Sequence, residues 1–416
     1  MLNASKPSAD LCATAHDCNS MIKKSFNVEY LNRHRYLSAM DSMSYEYAVD
    51  DNFAEHFCSL LQVFMYITDR CNLECEQCIY KPSTKHFINE EIPLFDALAL
   101  LRTFYRLGAR KVTFLGGEPT LYGHRQHGKP LLDLIEGTEQ IGFEYIRLDT
   151  NGQMISVFLP KPQFSKLNEL AFSLDGFSPE TNDILRGRGT LIRVIDNIRL
   201  AIELGYHVTI TCCIQKVLLT RDGDGILLIE RMIRFAEEIG VHQINFHDLF
   251  KVGTPMDTWT GNFAPQPSDW LPVYDELYSK IVRKEFSISV RLPQCFIKKT
   301  EFDLNPEYYG YCPVKLGERV MVHPNGIVRI CSNLICTGFG VARYDHGRIT
   351  WDNSYNNEIA GHDLERNTPC TNRSRHREYG DLVPVCFSFK PGQEEFIWRE
   401  KIHWETKRVY SLLDVT

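Results

Sequence analysis

Between positions 60 and 250 the chain alternates short apolar runs with longer amphipathic ones. The runs at 61–67, 112–115, 145–148, 170–174, 208–214 and 243–247 are short and rich in β-branched or aromatic residues, which predicts six strands. Apolar positions at helical spacing predict helices over 92–107, 130–141, 191–204 and 226–239, with Gly108 as the stop of the first. Strands alternating with helices argue for parallel βα units, an α/β fold arranged as an open or partial TIM-like barrel, a (β/α)6 core. The loops after the strands should then carry the chemistry, because such sheets bind ligands at that face.

Outside this stretch the rhythm breaks. Residues 1–57 show no clean period and are expected to form a partly helical N-terminal extension. Gly253, Pro255, Gly261, Pro265 and Pro267 mark a long loop, followed by a helix over 270–282 and a strand-like segment at 286–292. Two short strands then flank Asn325-Gly326, the strongest short hairpin signal. The expected organisation is an extension over 1–57, a barrel core over 58–285, a small α+β domain over 286–390 and a C-terminal helix within 391–416.

Composition narrows the function classes. The chain has 416 residues, 44% hydrophobic and 24% charged, which excludes bulk disorder. A net charge of −7 leaves no basic footprint for nucleic acid. The longest apolar stretch, 60–67, is far short of the roughly 20 residues of a spanning helix, so no membrane partner is expected. Asp10, Asp17 and Glu29 interrupt the start of the chain, so no secretory signal is visible and a reducing cytoplasm is the default location. There, fourteen cysteines read as metal ligands or catalytic thiols before disulfides. Cys212 and Cys213, in a run that reads as a buried strand, look like inert packing.

Three cysteines crowd one loop directly after the first strand: Cys71, Cys75 and Cys78, spaced by three and two residues. A structural zinc site wants four ligands, and the nearest further candidate, His86, lacks zinc-knuckle spacing. A 4Fe–4S cubane held by three thiolates instead keeps one iron open for an outside ligand. This loop resembles the hallmark of the radical S-adenosylmethionine (SAM) enzymes. The resemblance continues at Gly116-Gly117-Glu118-Pro119 after the second strand, Thr150-Asn151-Gly152 after the third, Ser173-Leu174-Asp175-Gly176 after the fourth, and Arg186-Gly187-Arg188-Gly189 beyond. It covers about residues 61–250. It implies that Gly116, Gly117 and Glu118 receive the SAM amino group. Asn151 and its neighbours would contact the ribose, and Ser173 and Arg186 the methionine carboxylate. Gln77 departs from the family, where an aromatic often precedes the third cysteine. The implied chemistry is reductive cleavage of SAM to methionine and a 5′-deoxyadenosyl radical that removes a substrate hydrogen, with flavodoxin or ferredoxin as electron donor.

A second cysteine group follows. Cys312, thirteen residues, Gly326, four residues and Cys331 resemble the opening of SPASM and twitch domains, which hold auxiliary 4Fe–4S clusters. The dense later series of a full SPASM domain is absent. The implied ligands of one auxiliary cluster are Cys312, Cys331, Cys370 and Cys386, with Cys295 and Cys336 in reserve. A zinc site or plain buried thiols is the alternative. Cys295 and Cys336 are also candidates for a radical-quenching thiol, and His247, Asp248 and Tyr309 for a base. This branch modifies peptides in specialised-product biosynthesis, the expectation placed first, or oxidises small molecules such as aminocyclitols, sugars or nucleosides. A non-enzymatic iron–sulfur carrier would leave the segments after strands two to four without a task.

Overall fold

The computed structural model describes residues 45–78, 90–123, 128–247, 249, 263–265, 267–292, 294–298, 300, 304, 317–330, 340–352 and 382–386. After a short strand β1 (Ala48–Val49) and helix α1 (Asp51–His56), the core strands are β2 (Gln62–Thr68), β3 (Lys111–Gly116), β4 (Tyr145–Thr150), β5 (Glu169–Ser173), β6 (Val208–Cys213) and β7 (Gln243–His247). The helices between and after them are α2 (Leu94–Arg106), α3 (Lys129–Ile141), α4 (Pro179–Arg186), α5 (Thr190–Glu203), α6 (Leu228–Glu238) and α7 (Pro267–Val282). All six expected strands are present and pair in parallel in chain order. The architecture is a partial TIM-like barrel whose sheet does not close.

The alternation along each strand separates two faces. Val63, Met65, Ile67, Val112, Phe114, Ile146, Leu148, Leu170, Phe172, Ile210, Ile244 and Phe246 are buried and share one core with helix residues such as Leu100, Phe104, Leu134 and Ile198. These positions form the outer, helix-facing side. The other face carries a separate small apolar cluster of Tyr66 and Met321, with Phe64, Leu115 and Cys78 packed against it. Its remaining positions are largely polar. That division, apolar outside and mixed inside, is what frees the inner face for chemistry.

Beyond the six-strand core, β8 (Ser289–Arg291) adds in parallel to β7, so the core rhythm runs past the expected boundary at 285. The two-stranded pair of β9 (Gln294–Lys298) and β14 (Leu382–Cys386) lies in its own sheet. The hairpin of β10 (Arg319–Val322) and β11 (Ile327–Arg329) does not stand apart: β10 pairs in parallel with β2. With β12 (Ala342–Asp345), β13 (Arg348–Trp351) and β1, it extends the core sheet beyond β2. The hairpin turn also differs in kind from the Asn-Gly signal. It spans His323 to Gly326, with the Gly326 amide donating to His323 O, and Gly326 carries a φ of 79° while Asn325 has no positive φ. The type I′ turn that Asn-Gly favours needs both positive. That geometry occurs at His346-Gly347, with φ values of 44° and 76°, between β12 and β13.

Among the described residues no helix is long and apolar enough to cross a membrane. The expected segments over 1–44 and 391–416 lie outside the described residues.

Candidate active site

The cysteine loop leaves the C-terminal end of β2 and is tied at its root. The Arg70 amide donates to Thr68 Oγ1 at 3.2 Å, and Arg70 Nε pairs with Glu91 at 3.1 Å. The Gly117 amide donates to Thr68 O at 2.7 Å and the Glu118 amide to Arg70 O at 2.6 Å, stitching the end of β3 to the loop. This approach accounts for both glycines. A Cβ on Gly116 would stand 2.3 Å from Thr68 O, and one on Gly117 would stand 2.2 Å from Arg70 O. The room that the sequence reading reserved for a ligand is used, on this side, by the neighbouring strand's backbone.

Glu118 is buried and holds the next strand end. Its Oε1 accepts the Thr120 amide at 3.1 Å, the Thr120 hydroxyl at 2.7 Å and the Thr150 hydroxyl at 2.7 Å. Its Oε2 accepts the Asn151 amide at 2.7 Å. Burial pushes the carboxyl upward from its usual range, and these donors, the Asn151 amide first, pull it back. Asn151 in turn reaches the loop: Nδ2 donates to Asn72 Oδ1 at 2.8 Å and to Cys71 Sγ at 3.8 Å. The Thr-Asn-Gly turn therefore links Glu118 to the first cysteine.

Asp175, after β5, ties down the other end. Its Oδ1 accepts the Cys213 amide at 2.7 Å, while Oδ2 accepts Gln77 Nε2 at 2.5 Å and pairs with Arg186 Nε at 2.6 Å. Gln77, the departure from the family pattern, is thus the tie between the third cysteine and β5. The Glu76 amide adds a bond to Leu185 O at 2.8 Å. Arg186 packs against this carboxylate, which holds its charge against the cost of burial. Asp183 fixes the turn after Arg186, accepting the Gly189 amide at 2.6 Å and the Leu191 amide at 3.0 Å. Ser173 ends β5 on the inner face, in register with Thr211. The sequence reading quoted Asp175 within its strand-end motif without a role of its own and did not name Asp183, which lies in the helix that ends at Arg186.

The thiols share one neighbourhood. Cys75 is buried and its thiol is pushed up to about 11, by burial first, with the Arg186 charge pulling down and Cys78 pushing up. Cys71 keeps exposed surface, and its thiol is also raised, by burial of the sulfur and further by Glu118, Cys75 and Cys78. Among the described residues no three His, Cys, Asp or Glu side chains converge as a finished metal site. The donor set nonetheless suits an iron–sulfur cluster. Cys71 and Cys75, both pushed toward the protonated form, would bind as thiolates beside the positive centre that a cluster supplies, releasing their protons. The apolar cluster against Cys78 keeps water from that side.

Deeper on the inner face lies a charged row. Arg147 pairs with both oxygens of Asp149, at 2.5 Å and 3.2 Å, and with Glu169 Oε1 at 2.9 Å. Glu169 also accepts the Tyr145 and Thr209 hydroxyls. His247, at the end of β7, has its imidazole pushed down to about 4 by burial and then by the Arg147 charge, so it is neutral. Of the remaining sequence candidates, Cys386 pairs with Gln294 and Cys295 with Val385 across β14 and β9. Cys312, Cys331, Cys336, Cys370, Asp248 and Tyr309 lie outside the described residues.

Comparison with known proteins places this geometry. Residues 65–222 match the model of the radical SAM superfamily. Among curated proteins, a GTP 3′,8-cyclase of Limosilactobacillus fermentum is 29% identical over 201 residues, 48% of this chain and 57% of that protein. Molybdenum cofactor biosynthesis protein 1 of Drosophila melanogaster is 31% identical over 172 residues, 40% of this chain and 28% of that one. The chain thus spans less than two thirds of either relative's length. Among solved structures, Streptococcus suis SuiB bound to its precursor peptide SuiA has a TM-score of 0.54 at 17% identity, covering 75% of this chain and 69% of that one. Native anSMEcpe with bound AdoMet has a TM-score of 0.51 at 17% identity, covering 68% of this chain and 77% of that one. At these identities the structures speak for the fold. The matched segment spans the cysteine loop and the ends of the five strands from β2 to β6, so residues 65–222 are a radical SAM domain, of the superfamily whose enzymes work with a 4Fe–4S cluster and SAM.

Proposed function

We propose that this enzyme cleaves SAM reductively at a cluster held by Cys71, Cys75 and Cys78 and abstracts a hydrogen atom from a small polar substrate lodged against the inner face of the partial barrel. The observation that carries the substrate reading is the polar, ion-paired row of Arg147, Asp149 and Glu169 on that face, set below the strand ends. Such a row suits hydrogen-bonding groups of a sugar or nucleoside, the class to which the GTP named in the curated relatives belongs. Peptide modification, the first expectation from sequence, keeps only a likeness of fold to SuiB and anSMEcpe.

When bound, the cluster and SAM supply one-electron cleavage to methionine and a 5′-deoxyadenosyl radical, with the electron coming from a flavodoxin or ferredoxin. The chain's own residues position and shield. Glu118 fixes the Thr-Asn-Gly turn, and Asn151 orients the loop at Cys71. Asp175 holds Arg186 and Gln77, leaving the outer edge of the Arg186 guanidinium and the Ser173 hydroxyl as the groups assigned to the methionine carboxylate. Burial and the Arg147 charge disfavour protonation of His247, so it offers the substrate a neutral hydrogen-bonding group rather than a base. The cysteines Cys312, Cys331, Cys370 and Cys386 retain the assignment of one auxiliary cluster, on their spacing.

The test is label transfer. Anaerobic, reduced enzyme is incubated with SAM and a panel of deuterated nucleosides, nucleotides, aminocyclitols and peptides. Deuterium should appear in 5′-deoxyadenosine with a member of the small-molecule set. Transfer from a peptide alone would overturn the substrate reading.

A further inference from the structure

The adjacent cysteines that end β6 read in sequence as one packed pair, and the structure divides them. Neighbouring residues of a strand point to opposite faces. Cys212 is fully buried in the helix-side core, with Ile210. Cys213 therefore turns to the inner face, the side of Thr209, whose hydroxyl donates to Glu169 Oε1 at 2.7 Å. There it is half-buried and belongs to neither apolar cluster.

Cys213 stands in the layer of the strand ends. It lies in register with His247 on β7, and Thr211, one inner position earlier, lies in register with Ser173 on β5. The Cys213 amide donates to Asp175 Oδ1 at 2.7 Å. The other oxygen of that carboxylate accepts from Gln77, the residue before Cys78, at 2.5 Å and pairs with Arg186 Nε at 2.6 Å. Cys213, Arg186 and the cysteine loop thus meet around a single carboxyl group.

Two further observations mark this space as one that a ligand completes. The Arg186 side chain is only 10% exposed, and among the described residues Nε pairs with Asp175 while the outer nitrogens make no hydrogen bond or ion pair. The Thr211 hydroxyl, on the same inner face, is buried with no hydrogen-bond partner among the described residues. Buried polar groups left unpaired cost stability, and a bound polar molecule removes that cost. Arg186 is the group assigned above to the methionine carboxylate, so the thiol stands beside the molecule whose cleavage makes the radical. A thiol differs there from the hydroxyls around it. Its S–H bond is weaker than the C–H bond that a carbon radical gains by taking its hydrogen, whereas a hydroxyl O–H bond is stronger. Burial first, then the Asp175 charge, hold the Cys213 thiol well above its usual range against the pull of Arg186. It therefore keeps a hydrogen to give and is not poised as a nucleophilic thiolate.

We propose that Cys213 is a catalytic hydrogen-atom donor at this site. Its S–H bond breaks as a C–H bond forms at the carbon radical of the substrate. The thiyl radical left on Cys213 takes one electron from the flavodoxin or ferredoxin and one proton from solvent, which restores the thiol. The substrate first loses and then regains a hydrogen atom, so it leaves inverted or rearranged without net oxidation. The inference deepens the radical reading above and rests on it for the source of the radical. Cys295, a sequence candidate for this task, lies on β9 in the separate sheet with β14.

Uncoupled SAM cleavage in D2O tests the donor without a known substrate. Full-length, anaerobically reconstituted protein is reduced with dithionite and given SAM in D2O, where the thiol exchanges to S–D and carbon-bound hydrogens do not. With no substrate between them, the 5′-deoxyadenosyl radical takes its hydrogen from Cys213, and dithionite reduces the thiyl radical again. The parent should form 5′-deoxyadenosine that carries deuterium at its 5′ carbon. In Cys213→Ser and Cys213→Ala, whatever 5′-deoxyadenosine forms should fall to the unlabelled background. Cys58→Ser, at an exposed thiol before the start of β2, should keep the parent's label. The labelled fraction does not depend on yield, so partial unfolding of a variant cannot imitate the result. Unlabelled 5′-deoxyadenosine from the parent, or parental label from either Cys213 variant, would overturn the proposal and leave the radical reading standing. A parent that forms no 5′-deoxyadenosine at all would overturn the radical reading and this inference with it, so the two failures are distinguishable.

Discussion

Glu118 shows how one side chain holds two strand ends together. Its carboxylate accepts four bonds from Thr120, Thr150 and Asn151. Replacing it with Ala strands buried donors, each worth about 1–3 kcal/mol when left unmade. Glu118→Ala should therefore lose about 3 kcal/mol of stability even without SAM, read as a lower urea midpoint, and Glu118→Gln should lose less. An unchanged midpoint with weaker SAM binding would instead give the carboxylate a direct part in holding the ligand. At this scale the sequence was informative about position and less so about partners. The motif marked Glu118, Asn151 and Arg186 because each follows a strand end. It could not show that Arg186 pairs with Asp175 or that Gln77, where the family often has an aromatic, ties to that same carboxylate. The second contact joins residues 98 positions apart, and the first crosses from a strand end to the end of a helix, so no local spacing encodes either.

Among the elements, the root of the cysteine loop is a tight junction. A Cβ at Gly117 would sit 2.2 Å from Arg70 O and 2.7 Å from Asp69 O, both backbone atoms that cannot step aside alone. Gly117→Ala should cost about 1–3 kcal/mol and shift the loop, so that iron per chain after anaerobic reconstitution falls below half the parent value. Equal iron and equal stability would mean that β3 and the loop separate more readily than their hydrogen bonds suggest. The core strands and helices were legible because apolar periodicity is strong where one face packs on helices. Helix α4 escaped, being a single short element of Pro179–Arg186 with few apolar positions. The β12–β13 turn escaped because His346-Gly347 is a rarer way to reach two positive φ values than Asn-Gly.

For the whole molecule, the open sheet curls so that strand ends from β2 to β7 surround one space, with the cysteine loop on one side and the charged row beneath. Parallel order followed from the strand–helix alternation. That the hairpin from 319 onward would join the same sheet did not, since sheet-edge pairing between β10 and β2 leaves no trace in either strand's own pattern. The central claim is that this space performs reductive SAM cleavage at Cys71, Cys75 and Cys78. The direct measurement is 5′-deoxyadenosine formed by anaerobically reconstituted, dithionite-reduced protein supplied with SAM, for the parent and for Cys71→Ala, Cys75→Ala and Cys78→Ala. The parent should produce it and each variant should lose essentially all of it, whereas parental yield from any one of the three would contradict the assignment.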